Sequence, residues 1–167
     1  MKFQVFFPII LFFVFAVICG GSTYASSDKG DQVKVYHVPA KKMLEYIDRK
    51  KGQKRIVLIY TSWCPYCREK MPDIMDLERA RKGSVIAISV DEDYAQYAKY
   101  AKTLKNSPFP LFLNDGAEQS LKNALKKSHS IKPWSGYPTL IFLDENNQAV
   151  SQGNYTVEQA AKYLFGQ

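Results

Sequence analysis

The chain has 167 residues, 46% of them apolar and 14% aromatic, which suits one compact domain with a real core plus a short extra segment. Its net charge of +7 comes from basic residues gathered in Lys41-Lys42, Arg49-Lys50-Lys51, Lys54-Arg55, Arg79 to Lys82 and Lys126-Lys127. No aromatic code interleaves them, so they read as a solvated basic face rather than a nucleic-acid surface.

The N-terminus opens the chain order. Met1-Lys2 is followed by Phe3 to Ile18, almost uninterrupted Phe, Val, Ile and Leu, and then by the small, polar run Gly20 to Ser27. A basic tip, an apolar stretch of about 15 residues and a small-residue exit describe a secretory signal peptide over residues 1–25, cleaved after Ala25. The competing reading keeps the segment as a membrane anchor, since its length falls near the lower limit for a span. A lipoprotein reading through Cys19 is disfavoured, because Ile18 is not the small residue such cleavage requires. In each case the domain is exported, which places it in the periplasm or envelope and further removes nucleic acid as a partner. A membrane enters only if the leader is uncleaved.

Residues 26–32 are polar and Gly-containing, a short linker, and residues 33–167 form the domain. Val33 to Val38 alternates and predicts an edge strand. Pro39 to Lys51 sets Met43, Leu44 and Ile47 on one helical face, ended by Gly52. Arg55 to Thr61 predicts a buried strand, Arg68 to Lys82 a helix, and Val85 to Val90 a second buried strand. Asp91 is the expected cap of a helix over Asp93 to Lys105, with Tyr94, Tyr97, Tyr100, Ala101 and Leu104 as a packing stripe. Leu111 to Leu113 predicts a short strand and Ala117 to Lys127 a helix. A hairpin follows, Thr139 to Leu143 turning through Asp144 to Asn147 into Gln148 to Gln152, and Val157 to Phe165 closes the chain as a helix. The order implies an α/β fold with a mixed sheet covered on both faces.

Between the first buried strand and its helix stands Trp63-Cys64-Pro65-Tyr66-Cys67. Residues three apart share a helix face, so the two sulfurs can join as a disulfide or part as thiols with little backbone change. Pro65 suits the first helical position, and the free N–H groups there favour a thiolate on Cys64, the species that attacks disulfides. Loss of the leader removes Cys19 and leaves this pair as the domain's thiols, available for exchange rather than for a structural framework. Zinc is disfavoured, since His37 and His129 stand isolated and no second C-x-x-C completes a site. No metal is expected, and no cofactor beyond a redox-active Cys64–Cys67 disulfide.

Two motifs in this order, Trp63 to Cys67 and Gly136-Tyr137-Pro138-Thr139, resemble the thioredoxin superfamily over Val33 to Phe165. The leader, the inserted segment Asp91 to Ala124 and the run Cys67-Arg68-x-x-Met71-Pro72 resemble its exported TlpA-like branch, thiol-disulfide oxidoreductases of the bacterial envelope, several serving cytochrome c maturation. The resemblance implies a thioredoxin-like sheet with an inserted strand and helix before the C-terminal hairpin. It implies Cys64 and Cys67 as the catalytic pair, Trp63, Pro65 and Tyr66 as supporting residues, and a cis bond before Pro138 facing the dithiol. Tyr137 and Thr139 would then bind an extended client beside it. Expected partners are protein thiols and disulfides and an envelope redox protein.

Pro65-Tyr66 is the dipeptide familiar from glutaredoxins, though the export and the insertion do not suit that branch. The buried acid that many thioredoxins place six residues before the first cysteine is here Leu58. The Glu that many TlpA-like reductants place three residues after the second cysteine is here Lys70. Both departures point away from a strong reductant. Arg68 and Lys70 otherwise read as solvated helix charges, and Trp134 serves either the client groove or the core. A thioredoxin-fold binding or chaperone module without turnover is the alternative function.

Overall fold

The computed structural model describes residues 33–166. The leader and linker expected over residues 1–32 lie outside the described residues. Eleven elements follow in order: β1 (Val35–Val38), α1 (Ala40–Asp48), β2 (Arg55–Tyr60), α2 (Pro65–Ala80), β3 (Val85–Ser89), α3 (Tyr94–Ala101), β4 (Leu111–Asn114), α4 (Glu118–His129), β5 (Thr139–Leu143), β6 (Ala149–Gly153) and α5 (Val157–Phe165). The strands form one sheet in the order β1-β4-β3-β2-β5-β6. β2, β3, β4 and β1 pair in parallel, whereas β5 runs antiparallel to both β2 and β6. This is the mixed sheet read from the sequence, with β1 at one edge and the β4 of the inserted segment paired between β1 and β3.

Every residue of β2 is buried, because neighbouring positions face opposite layers and both layers are covered. Ile56, Leu58 and Tyr60 point to a core shared with Met71 and Ile74 of α2, Tyr97 of α3 and Leu164 of α5. Val57 and Ile59 point the other way, to Met43 and Ile47 of α1 and Leu121 and Leu125 of α4. The continuous aliphatic run that marked this strand is thus one strand serving two cores.

Helix starts follow local chemistry. Thr156 caps α5 through the Gln159 N–H while the Gln159 side chain returns to the Thr156 N–H, a full capping box. α3 is capped by Asp93, whose carboxylate accepts from the Gln96 N–H at 3.0 Å, and not by Asp91 as expected. Asp91 is buried and its oxygens are spent elsewhere, on two serines. α3 is also shorter than its periodicity suggested and stops at Ala101. Tyr94 leaves the packing stripe: it is 54% exposed and its ring lies 4.7 Å from that of His37.

The β5–β6 turn is locked from across the molecule. Asn147, at a φ of 62°, is fully buried, receives the Arg55 guanidinium at 3.1 Å and donates to the Ile47 carbonyl at 2.7 Å. An Asn tolerates this left-handed conformation better than most side chains, and its amide joins β2, α1 and the hairpin at one point. With both sides of β2 fixed, the loop at its C-terminal end delivers the cysteines to a set position.

Candidate active site

Cys64 ends that loop and serves as the N-cap of α2, with Pro65 as the first helical residue. The missing N–H of Pro65 costs nothing there, since N–H groups of the first turn have no intrahelical acceptor. The Cys64 sulfur takes the place that a serine or aspartate oxygen usually fills, accepting from the Cys67 N–H at 3.3 Å. Negative charge on this sulfur therefore meets an amide donor and the positive end of a 16-residue helix.

The two thiols are free and both are buried, Cys64 at 5% and Cys67 at 1% exposure, so the first sulfur is the nearer to solvent. Burial pushes the Cys67 thiol up to about 12; the hydrogen bond with Cys64 adds to this, a backbone contact from Thr61 opposes it, and the charges of Cys64 and Asp91 add again. Cys67 is thus a thiol that keeps its proton across the ordinary pH range.

The second motif faces the first. The Tyr137–Pro138 bond is cis, as the resemblance implied, and the Cys64 thiol donates to the Tyr137 carbonyl at 3.6 Å. The thiol thus occupies a backbone acceptor of Tyr137, one of the two residues expected to bind the client. The Trp63 ring meets the Tyr137 ring edge-on at 5.8 Å while remaining 53% exposed, so Trp63 flanks the pair rather than sealing it. Pro65 and Tyr66 are exposed at the helix tip, Tyr66 at 70%. Pro138 is buried beside the dithiol loop, and Thr139 opens β5 with its hydroxyl donating to the Gly136 carbonyl at 2.7 Å. A groove of about 390 Å³ lies along this loop, lined by Trp134, Tyr137, Pro138 and Thr139 together with Gln152 to Asn154. Six of the eight residues expected at the site meet at the dithiol and this groove; Pro65 and Tyr66 present an adjoining outer surface.

A Redoxin family model matches residues 39–162, which takes in both motifs and all the strands after β1. The chain belongs to the Redoxin family. No curated protein gave a significant match. Among solved structures, a thioredoxin-family thiol:disulfide interchange protein from Chlorobium tepidum is 24% identical with a TM-score of 0.56, over 70% of this chain and 80% of that one. The pneumococcal exposed lipoprotein thioredoxin from Streptococcus pneumoniae is 18% identical with a TM-score of 0.57, over 72% and 90%. The thioredoxin domain of a thiol-disulfide oxidoreductase from Bacteroides vulgatus is 20% identical with a TM-score of 0.53, over 70% and 82%. At these identities the likeness is one of fold, and it agrees with the thioredoxin-like architecture expected from the sequence.

Asp91, Arg68 and Lys70 of this Redoxin site differ from their sequence reading, whereas Leu58 keeps to its own. Leu58 is a core residue at 1% exposure, so no acid lies beneath the pair from β2. A buried acid comes instead from the end of β3: Asp91 accepts from the Ser62 N–H at 2.8 Å, the Ser62 hydroxyl at 2.6 Å and the Ser89 hydroxyl at 2.6 Å. Its sole sequence signal is an acid directly after a buried strand, which reads equally well as a helix cap.

Arg68 and Lys70 are not free helix charges. Arg68 donates through Nε to the Ser62 carbonyl and lays its guanidinium 5.3 Å from the Tyr100 ring centre. Lys70 donates to the Tyr155 carbonyl and, at 3.2 Å, to Asn154 Oδ1. Burial lowers the Lys70 pKa, an effect that Cys67, Glu158 and Glu69 oppose. Both cations therefore brace loops next to the dithiol. Trp134 settles between its two expected roles: it is buried, it packs in the α1/α4 core, and it also lines the groove.

Proposed function

We propose that this chain is an exported thiol-disulfide oxidoreductase that exchanges disulfides with protein clients through Cys64 and Cys67. The observation that carries the reading is the Cys64 sulfur at the N-terminus of α2, capped by the Cys67 N–H at 3.3 Å and facing the Tyr137–Pro138 loop. In the reducing direction the Cys64 thiolate attacks one sulfur of a client disulfide. The client S–S bond breaks, one client thiolate leaves, and a mixed disulfide holds client to enzyme. Cys67 then gives up its proton, attacks the Cys64 sulfur and expels the second client thiolate. The client has gained two electrons and the enzyme now holds the Cys64–Cys67 disulfide. An envelope redox protein resets the pair by the same chemistry, and the reverse sequence oxidises a client.

The groove beside Tyr137, Pro138 and Thr139 suits an extended client segment, with Trp63 flanking it. Export rests on the apolar leader, and no helix among the described residues is long and apolar enough to cross a membrane. Envelope protein folding or cytochrome c maturation is the process in which such an enzyme would serve. Lys70 near the pair favours the thiolate form and the charge of Asp91 opposes it, which supports a potential between those of strong reductants and strong oxidants.

Redox titration of the purified domain tests this. The Cys64–Cys67 couple is expected to titrate reversibly between about −270 and −120 mV. A value at either extreme overturns the intermediate assignment, and a pair that never forms a disulfide overturns the function.

A further inference from the structure

We infer that Glu118 is a positioning residue for the exchange reaction: its carboxylate ties Tyr137 and Trp134 together, so that the Tyr137 carbonyl stays on the Cys64 sulfur and the client groove keeps its wall. The inference rests on the proposed function for its meaning in catalysis, but its structural half can be tested without it.

Glu118 is the first residue of α4, in the segment inserted between β3 and the C-terminal hairpin. One of its oxygens, Oε1, accepts from the Trp134 indole N–H at 2.5 Å and from the Tyr137 hydroxyl at 2.7 Å. Lys122 Nζ lies 3.4 Å from the same oxygen and 5.2 Å from the centre of the Trp134 ring, closing the cluster from one helical turn away. Donors bonded to an ionised acceptor make the stronger class of hydrogen bond.

Tyr137 is then held at three points. Its hydroxyl is on Glu118, its ring edge is on Trp63 at 5.8 Å, and its carbonyl receives the Cys64 thiol at 3.6 Å. A side chain fixed at both ends leaves its own backbone little room to turn, so a carboxylate on α4 sets what the nucleophilic sulfur meets. Burial and the bond to Glu118 raise the Tyr137 pKa, so the phenol remains a donor across the ordinary pH range.

The ordinary role of an acid in the first turn of a helix is to complement the helix dipole. The two roles separate cleanly. A dipole partner needs charge, so Gln would serve no better than Ala. A positioning residue needs an acceptor oxygen at Oε1, which Gln supplies.

The test compares wild type, Glu118→Ala and Glu118→Gln, each as the full chain, with an oxidised disulfide peptide as substrate and with iodoacetamide as a probe of Cys64. Glu118→Ala is expected to raise KM about ten-fold with kcat within about two-fold, the scale of losing the bonds that hold one wall of the groove. Cys64 should be alkylated about three-fold faster, because the carbonyl on its sulfur is no longer held there. Glu118→Gln should restore both to within about two-fold of wild type. Wild-type KM and alkylation in Glu118→Ala would overturn the inference, as would a Glu118→Gln variant as impaired as Glu118→Ala. Should wild type fail to turn over the peptide, the proposed function falls, and the alkylation comparison alone still supports or overturns the placement of Tyr137 by Glu118.

Discussion

At the scale of single residues, the two cysteines are identical in chemistry and opposite in circumstance. Cys64 takes an amide donor at a helix tip; Cys67 sits one turn inside, where burial dominates and pushes its thiol up to about 12. Such a division suits one sulfur that attacks and one that waits for a mixed disulfide before it resolves. Asp91 contributes to the difference through its charge, behind burial and the Cys64 hydrogen bond. Replacing Asp91 by Asn keeps an acceptor for the Ser62 N–H and removes the charge. The Cys67 pKa should then fall, by less than about one pH unit, since the charge is the smallest of the raising causes. Thiolate absorbance across a pH titration measures it; a value that stays put or rises would show that the Asp91 field does not reach the sulfur.

At the scale of elements, the α1/α4 contact holds a buried base. His129, the last residue of α4, is 1% exposed, and neither ring nitrogen has a hydrogen-bond partner. Asp48 of α1 approaches to 3.8 Å. Burial lowers the His129 pKa, Asp48 and an Asn147 backbone contact raise it, and Lys51 lowers it further; the net direction is down. The unfolded chain therefore binds this proton, near pH 6.5, more readily than the folded one does. The contribution of His129 is fully present above about pH 6.5 and is lost as pH falls through the lower folded value. Between about pH 7.5 and 5, Tm should fall by about 2–4 °C more in wild type than in His129→Leu. Parallel Tm curves for the two proteins would contradict this.

The same scale shows what could be read in advance. β2 and α2 were legible because the aliphatic run Ile56 to Ile59 and a C-x-x-C at the strand's exit each carry a local physical signature. Asp91 was visible but misplaced: an acid after a strand looks like a cap until Ser62 and Ser89 are seen to claim both its oxygens. Glu118 was not visible. It meets Trp134 from 16 residues away and Tyr137 from 19, and no periodicity records that one oxygen will serve two donors brought together by folding. Trp134 resisted a choice between core and groove because the indole does both, with its ring packed and its N–H turned to Glu118.

At the scale of the whole molecule, the fold works as a frame that brings distant segments to one dithiol loop. β2 and α2 deliver Cys64, the end of β3 delivers Asp91, the inserted α4 delivers Glu118, and the approach to β5 delivers Tyr137. Their meeting point is the C-terminal end of parallel strands, where open α/β sheets commonly place their chemistry. The central claim is that Cys64 forms a covalent bond with a client and Cys67 releases it. Incubating Cys67→Ser and Cys64→Ser variants with a disulfide-bonded client protein, followed by non-reducing gel electrophoresis, tests it most directly. The account predicts a reductant-sensitive adduct that accumulates with Cys67→Ser and is absent with Cys64→Ser. No adduct with either variant, or equal adduct with both, would contradict it.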